Sequence, residues 1–188
     1  MVITLGMSRN QIVGAKFEMW LLDLFKDLSQ RNLLNFQNID YNNKYFRQKG
    51  EYRQLDLDFQ YVQNGIIKQG MIEAKYCSNC YISFKLRNGE LEKNGQMIKG
   101  IDNIVSEVCE RAVFARATKA ILVTNKQFEK RVKEEAYTIG GLYILERPQL
   151  IKMNIARGKS SNLEKEIMKS DISYYYDKIG RKYLLWLS

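Results

Sequence analysis

At 188 residues, 45% of them hydrophobic, the chain is long enough to bury one substantial core, and no Pro-rich or Ser-rich linker divides it. It contains no histidine, which excludes Ser-His-Asp triads and every metal site built on imidazole, and its three cysteines are too few for a four-cysteine zinc or iron-sulfur site within one chain. Thirty Lys and Arg against twenty-one Asp and Glu leave a net charge of +9, the electrostatic footprint of a protein that meets polyphosphate. No run approaches the roughly 20 apolar residues needed to cross a bilayer, and the N-terminus lacks the basic start and apolar stretch of a signal peptide. With so few cysteines, a cytoplasmic, reducing location and no membrane partner are expected.

The first element in chain order is a helix. Ser8-Arg-Asn-Gln11 fits a capping box, and Val13, Phe17, Trp20, Leu21, Leu24 and Leu28 supply an apolar stripe at helical spacing. Glu18 breaks the pattern, because its helical neighbours Gly14, Ala15, Leu22 and Phe25 form a small apolar face on which a charge requires compensation.

Two strands follow, Arg53 to Val62 and Ile66 to Tyr76, joined by Asn64-Gly65. That dipeptide favours a two-residue type I′ loop, whose central positions both need positive φ, and so it sets the register. Gln63 then faces Ile66, Asp56 falls opposite Glu73, and Gln54 falls opposite Lys75. Period-two alternation puts Gln54, Asp56 and Asp58 on one face with Met71, Glu73 and Lys75, while Leu55, Leu57, Phe59 and Tyr61 share the other with Ile72, Ala74 and Tyr76. Two carboxylates opposite one another repel unless a divalent cation joins them; hard cations such as Mg²⁺ take carboxylate, water and phosphate oxygens. Lys75, two residues beyond Glu73, completes a set suited to phosphodiester hydrolysis.

Downstream, Ile101, Ile104, Val105, Val108, Ala112 and Ala115 predict a helix over Ile101 to Ala117. Ala120 to Thr124 predicts a buried strand, Asn125 caps a second helix running to Ile139, Gly140-Gly141 ends it, and Leu142 to Leu145 forms another strand. Ser160 to Ser170 reads as a polar helix, and Ile172 to Tyr176 with Arg181 to Trp186 as an aromatic and basic hairpin around Lys178-Ile-Gly180. Basic positions recur at Arg47, Lys49 and Arg53, at Lys85 and Arg87, at Lys126, Lys130, Arg131 and Lys133, and at Lys178, Arg181 and Lys182.

Asp56, Glu73 and Lys75 together resemble the catalytic pattern of the PD-(D/E)XK nuclease superfamily, which places an Asp on one strand and Glu-x-Lys on the next. The strand, helix, strand, helix order that follows resembles the Mrr-like branch and the archaeal Holliday-junction resolvases, over roughly Gln11 to Met153. The Pro that usually precedes the Asp is replaced by Leu55, and Asp58 is an alternative to Asp56. The resemblance implies an α/β, restriction-endonuclease-like core: a mixed central sheet with an antiparallel catalytic hairpin, flanked by helices. Residues 1–153 would form this core, and 154–188 a C-terminal extension packed on it or at a dimer interface, within a single domain.

The implied function is a Mg²⁺- or Mn²⁺-dependent DNA endonuclease, structure-selective in the manner of a Holliday-junction resolvase, with DNA, including branched DNA, as partner and a homodimer as the expected assembly. Asp56, Glu73, the Ala74 carbonyl and, from the first helix, Glu18 would hold the metal; Lys75 would position water or offset developing charge. Gln54 is a further candidate for orienting the nucleophile. Alternatives are a restriction-type (Mrr-like) endonuclease and a non-catalytic DNA-binding protein on the same fold. Asp56-x-Asp58 also matches the short acidic motifs of nucleotidyl- and glycosyltransferases, without the accompanying elements.

Overall fold

The computed structural model describes residues 8–46, 52–77, 81–82 and 104–173. Its elements in chain order are α1 (Arg9–Gln30), β1 (Phe36–Tyr41), β2 (Lys44–Phe46), β3 (Tyr52–Gln54), β4 (Leu57–Gln63), β5 (Ile66–Lys75), β6 (Tyr81–Ile82), α2 (Ile104–Phe114), β7 (Lys119–Thr124), β8 (Gln127–Phe128), α3 (Lys130–Tyr137), β9 (Leu142–Leu145), α4 (Arg147–Ala156) and α5 (Leu163–Met168). Five strands form one mixed sheet in the order β1-β4-β5-β7-β9. β4 runs antiparallel to both β1 and β5; β5, β7 and β9 are parallel, joined by the helical crossovers that parallel pairing requires. This is the expected α/β architecture, a mixed sheet with an antiparallel hairpin and helices on its faces.

The β4–β5 hairpin takes the register its turn dictates. Asn64 and Gly65 adopt φ of 53° and 74°, and the ladder runs from Gln63↔Ile66 to Leu57↔Ile72. Alternation along β5 then divides two cores. Ile72 and Ala74 join Leu57, Phe59, Tyr61, Ile121 and Val123 against α1, Leu150 of α4 and Leu163 and Ile167 of α5. Met71 joins Ala120, Leu122 and Leu142 against Val105 and Val108 of α2 and Val132 and Ala136 of α3. Glu73 and Lys75, in phase with Met71, therefore lie on the α2 side of the sheet.

α1 begins as predicted: Gln11 N–H donates to Ser8 Oγ at 3.3 Å, and Ser8 N–H to Gln11 Oε1 at 2.8 Å. It is buried more widely than a single stripe, because Met19, Leu22 and Phe25 join the predicted positions in a helix covered by both the sheet and α5.

Several expectations change. Leu55 belongs to the α2-side core and not to the face of Leu57, because the chain bends at Asp56 and resets the alternation. The bend is held by the loop after β1: Asn42 N–H donates to the Asp56 carbonyl and Leu55 N–H to the Asn43 carbonyl, both at 3.0 Å. Gln54 consequently does not face Lys75; it pairs with Lys44 in the separate β2–β3 ribbon, and its side-chain amide donates to Asn42. Asn125 does not cap a helix. Its amide bridges the Cys77 backbone, accepting from N–H at 2.8 Å and donating to the carbonyl at 3.1 Å, and α3 starts only after β8, with Glu129 as N-cap.

The segment after β9 forms α4, which the sequence pattern did not single out and which runs across residue 153; α5 follows within the expected polar segment, with Leu163 and Ile167 buried. From residue 174 onward the expected C-terminal hairpin lies outside the described residues, as do Arg47, Lys49, Lys85, Arg87, Lys178, Arg181, Lys182 and Cys80. Among the described residues, no helix is long and apolar enough to cross a membrane.

Candidate active site

The bend before β4 and the C-terminal half of β5 bring Asp56, Glu73 and Lys75 together. Asp56 sits one residue before the paired part of β4, where continuing the ladder would set it against Glu73, and its Oδ2 accepts from the Ala74 N–H at 2.8 Å. That bond latches the carboxylate to β5 where the ladder has ended. Glu73 is 1% exposed, and Lys75 Nζ donates to its Oε1 at 2.6 Å. Asp58, the alternative ligand, is also buried, but its carboxylate accepts from Asn43 Nδ2 at 3.0 and 3.1 Å and from the Tyr45 hydroxyl, a network on the β1–β2 side.

One site residue escaped the sequence reading. Arg111, on α2, donates through Nη1 to Glu73 Oε2 at 2.8 Å and Oε1 at 3.0 Å, and through Nη2 to Glu107 one helical turn earlier. A signal was present: Arg111 interrupts the spacing of Ile104, Val108 and Ala115, as Glu18 interrupts the apolar face of α1. Glu18 itself is half-buried on α1.

The electrostatics follow from this packing. Burial, then the neighbouring Glu73 charge, raise the Asp56 carboxyl from 3.8 to about 7, outweighing the opposing pull of Lys75, the Ala74 N–H and Arg111. Burial by itself would lower Lys75, yet Glu73 and Asp56 hold its ammonium above the ordinary lysine value. Arg111 behaves likewise, burial opposing and Glu73, Asp56 and Glu107 prevailing. Two carboxylates thus repel one another despite two cations beside them, and the repulsion would be relieved by further positive charge.

The donor set suits a hard divalent ion. Asp56, Glu73 and the Ala74 carbonyl offer oxygens alone, and Mg²⁺ ordinarily takes one or two carboxylates and completes its shell with water and phosphate. Among the described residues no three Asp, Glu, Cys or His side chains gather as a self-sufficient metal cluster. The site is accordingly one of two carboxylates, with both Glu73 oxygens already engaged by protein cations.

No protein-family model matches the sequence, and no curated protein matches it. Among solved structures, the chain is similar to the protein of unknown function AF1548, with a TM-score of 0.52 and 13% identity over 75% of this chain and 67% of that one. It aligns with VC1899 from Vibrio cholerae at a TM-score of 0.47 and 17% identity, over 79% of this chain and 34% of that one. With the DNA modification-dependent restriction endonuclease AspBHI the TM-score is 0.48 and the identity 13%, over 92% of this chain and 40% of that one. At 13% identity the likeness to AF1548 concerns the fold alone.

Proposed function

We propose that the chain is a metal-dependent endodeoxyribonuclease that hydrolyses phosphodiester bonds with Mg²⁺ or Mn²⁺. The observation that carries this reading is the Asp56 carboxylate latched to β5 beside the buried Glu73, with Lys75 bound to Glu73 from the same strand. When bound, the ion supplies Lewis-acid polarisation of the phosphate and a water acidified towards neutrality. Asp56 and Glu73, with the Ala74 carbonyl, would hold it, and Glu18 is put forward as a further ligand from α1. The Ala74 N–H fixes one oxygen of Asp56 and hence the direction of that carboxylate. Lys75 keeps its proton through the Glu73 contact and so presents positive charge where negative charge develops on phosphate.

The finer reading is a structure-selective, Holliday-junction-resolvase-like activity on DNA, acting as a homodimer because two-strand cleavage of a junction needs two sites. Its support is the hairpin followed by two helical crossovers, the order resembling those resolvases, together with the net charge of +9. A second reading, a non-catalytic DNA-binding protein on the same fold, is favoured by the ion pairs that Glu73 already makes with Arg111 and Lys75.

The test is incubation of the pure protein with linear, nicked, single-stranded and four-way-junction DNA, with Mg²⁺ and with EDTA. Junction cleavage that needs Mg²⁺ and disappears in Asp56→Asn and Glu73→Gln, with DNA binding retained, is the expected result. Preferential cleavage of linear duplex would move the assignment to a restriction-type enzyme. Binding without cleavage or Mn²⁺ uptake would move it to the non-catalytic reading.

A further inference from the structure

We infer that Arg111 is an internal counter-cation that holds Glu73 in the metal-free protein and has to leave it when a divalent ion binds, so that the Arg111–Glu73 ion pair and cation uptake exclude one another. This rests on the metal-site reading above and concerns a residue that the resemblance did not supply. Glu73 is 1% exposed, and a buried carboxylate stripped of partners is strongly destabilising, so positive charge must stand beside it whenever a metal does not. Lys75 meets only Oε1, at 2.6 Å, whereas Arg111 Nη1 reaches Oε2 at 2.8 Å and Oε1 at 3.0 Å. Lys75 and Arg111 are the two cations set among the carboxylates of Asp56, Glu73 and Glu107. Adding a divalent ion to that set while Arg111 stayed on Glu73 would place like charges side by side and crowd a carboxylate that already accepts three hydrogen bonds.

Arg111 has somewhere to go. Its Nη2 is already bonded to Glu107, four residues earlier on α2, and Arg111 and Glu107 are 23% and 27% exposed, against 1% for Glu73. The guanidinium can release Glu73 while keeping the more exposed Glu107. A planar group with several donors spans two carboxylates in this way, whereas an ammonium provides only a point charge. Arg111 is therefore a positioning residue of the metal-free site, which keeps the carboxylate pair assembled while no ion is present.

Isothermal titration of Mn²⁺ into wild type, Arg111→Gln and Arg111→Lys, with thermal melts of each in EDTA and in Mn²⁺, tests this. Expected is about tenfold tighter Mn²⁺ binding by Arg111→Gln, with Arg111→Lys closer to wild type. The melting temperature of Arg111→Gln should fall in EDTA and recover in Mn²⁺. Equal or weaker Mn²⁺ affinity in folded Arg111→Gln overturns the inference and leaves the metal site standing; absence of Mn²⁺ uptake by all three proteins overturns the metal-site reading itself. A measurement on the wild type alone covers failure of Arg111→Gln to fold. The slowly exchanging guanidinium N–H signals of Arg111 in NMR spectra should disappear as Mg²⁺ saturates the protein, and their persistence at saturation overturns the inference.

Discussion

Asp56 and Asp58 are two residues apart, yet their environments differ in kind. Asp58 accepts from Asn43 and the Tyr45 hydroxyl, whereas Asp56 faces Glu73, Lys75 and Arg111 with one backbone N–H to orient it. The Asp56 carboxyl, raised from 3.8 to about 7 mainly by burial and then by Glu73, holds its proton more tightly folded than unfolded. Its contribution to stability is full below about pH 4 and is lost as pH rises towards 7 and above. In EDTA, the urea midpoint should therefore decline between pH 4 and pH 8 in wild type and decline less in Asp56→Asn; an equal slope in both proteins would contradict the assignment. Glu73→Ala leaves Lys75 and Arg111 facing a void in a buried site, at an expected cost of about 3–5 kcal/mol by urea denaturation.

At the scale of elements, the hairpin that carries the site depends on a glycine away from its turn. A Cβ on Gly70 would lie 2.3 to 2.8 Å from three ring atoms of Phe59, its cross-strand partner, because that ring lies over the bare backbone of β5. Phe59 is fully buried and stacks on Phe36 with ring centroids 3.9 Å apart, so it has little room to retreat. Gly70→Ala should cost about 1–3 kcal/mol, and Phe59→Leu in the same chain should recover part of it in a double-mutant cycle.

The α4–α5 pair has an electrostatic tie of its own, Arg147 Nη2 to Glu164 Oε2 at 2.8 Å. The Arg147 hydrogen bond holds the Glu164 carboxyl down at about 2 against 4.5, so its contribution is present above pH 4.5 and fades as pH falls towards 2. Glu164→Gln should flatten acid denaturation across that window, by a small amount because the pair is partly open to solvent.

Across the whole molecule, the sheet separates two apolar layers, and the site lies where β5 meets the α2 layer. Glu73 reaches it from the sheet, Arg111 from the helix, and Asp56 from the bend that precedes β4. The basic surplus belongs to the whole molecule, with a net charge of +9. If it meets DNA phosphates as proposed, binding measured in EDTA should weaken by roughly 10³-fold or more between about 50 and 200 mM salt. Salt-independent binding would show that the charge serves another purpose.

The β4–β5 register was legible because two independent local signals agreed. Asn64-Gly65 admits few turn types, and a one-residue slip would have exchanged Phe59 and Tyr61 for Asp58 and Gln60 in the core. The strands over Ala120 to Thr124 and Leu142 to Leu145 and the capping box at Ser8 were likewise written in adjacent residues. The bend at Asp56, the departure of Gln54 into a second ribbon and the use of Asn125 as a backbone bridge to Cys77 each depend on a partner distant in the chain, which no local pattern encodes. Arg111 is the clearest case. Its charge on an apolar helical face was visible in the sequence, but its attachment to a carboxylate 38 residues earlier was decided by the docking of α2 on the sheet, where a buried Glu73 needs a cation. Local sequence determined which residues alternate and where the chain turns; tertiary packing decided which charges meet.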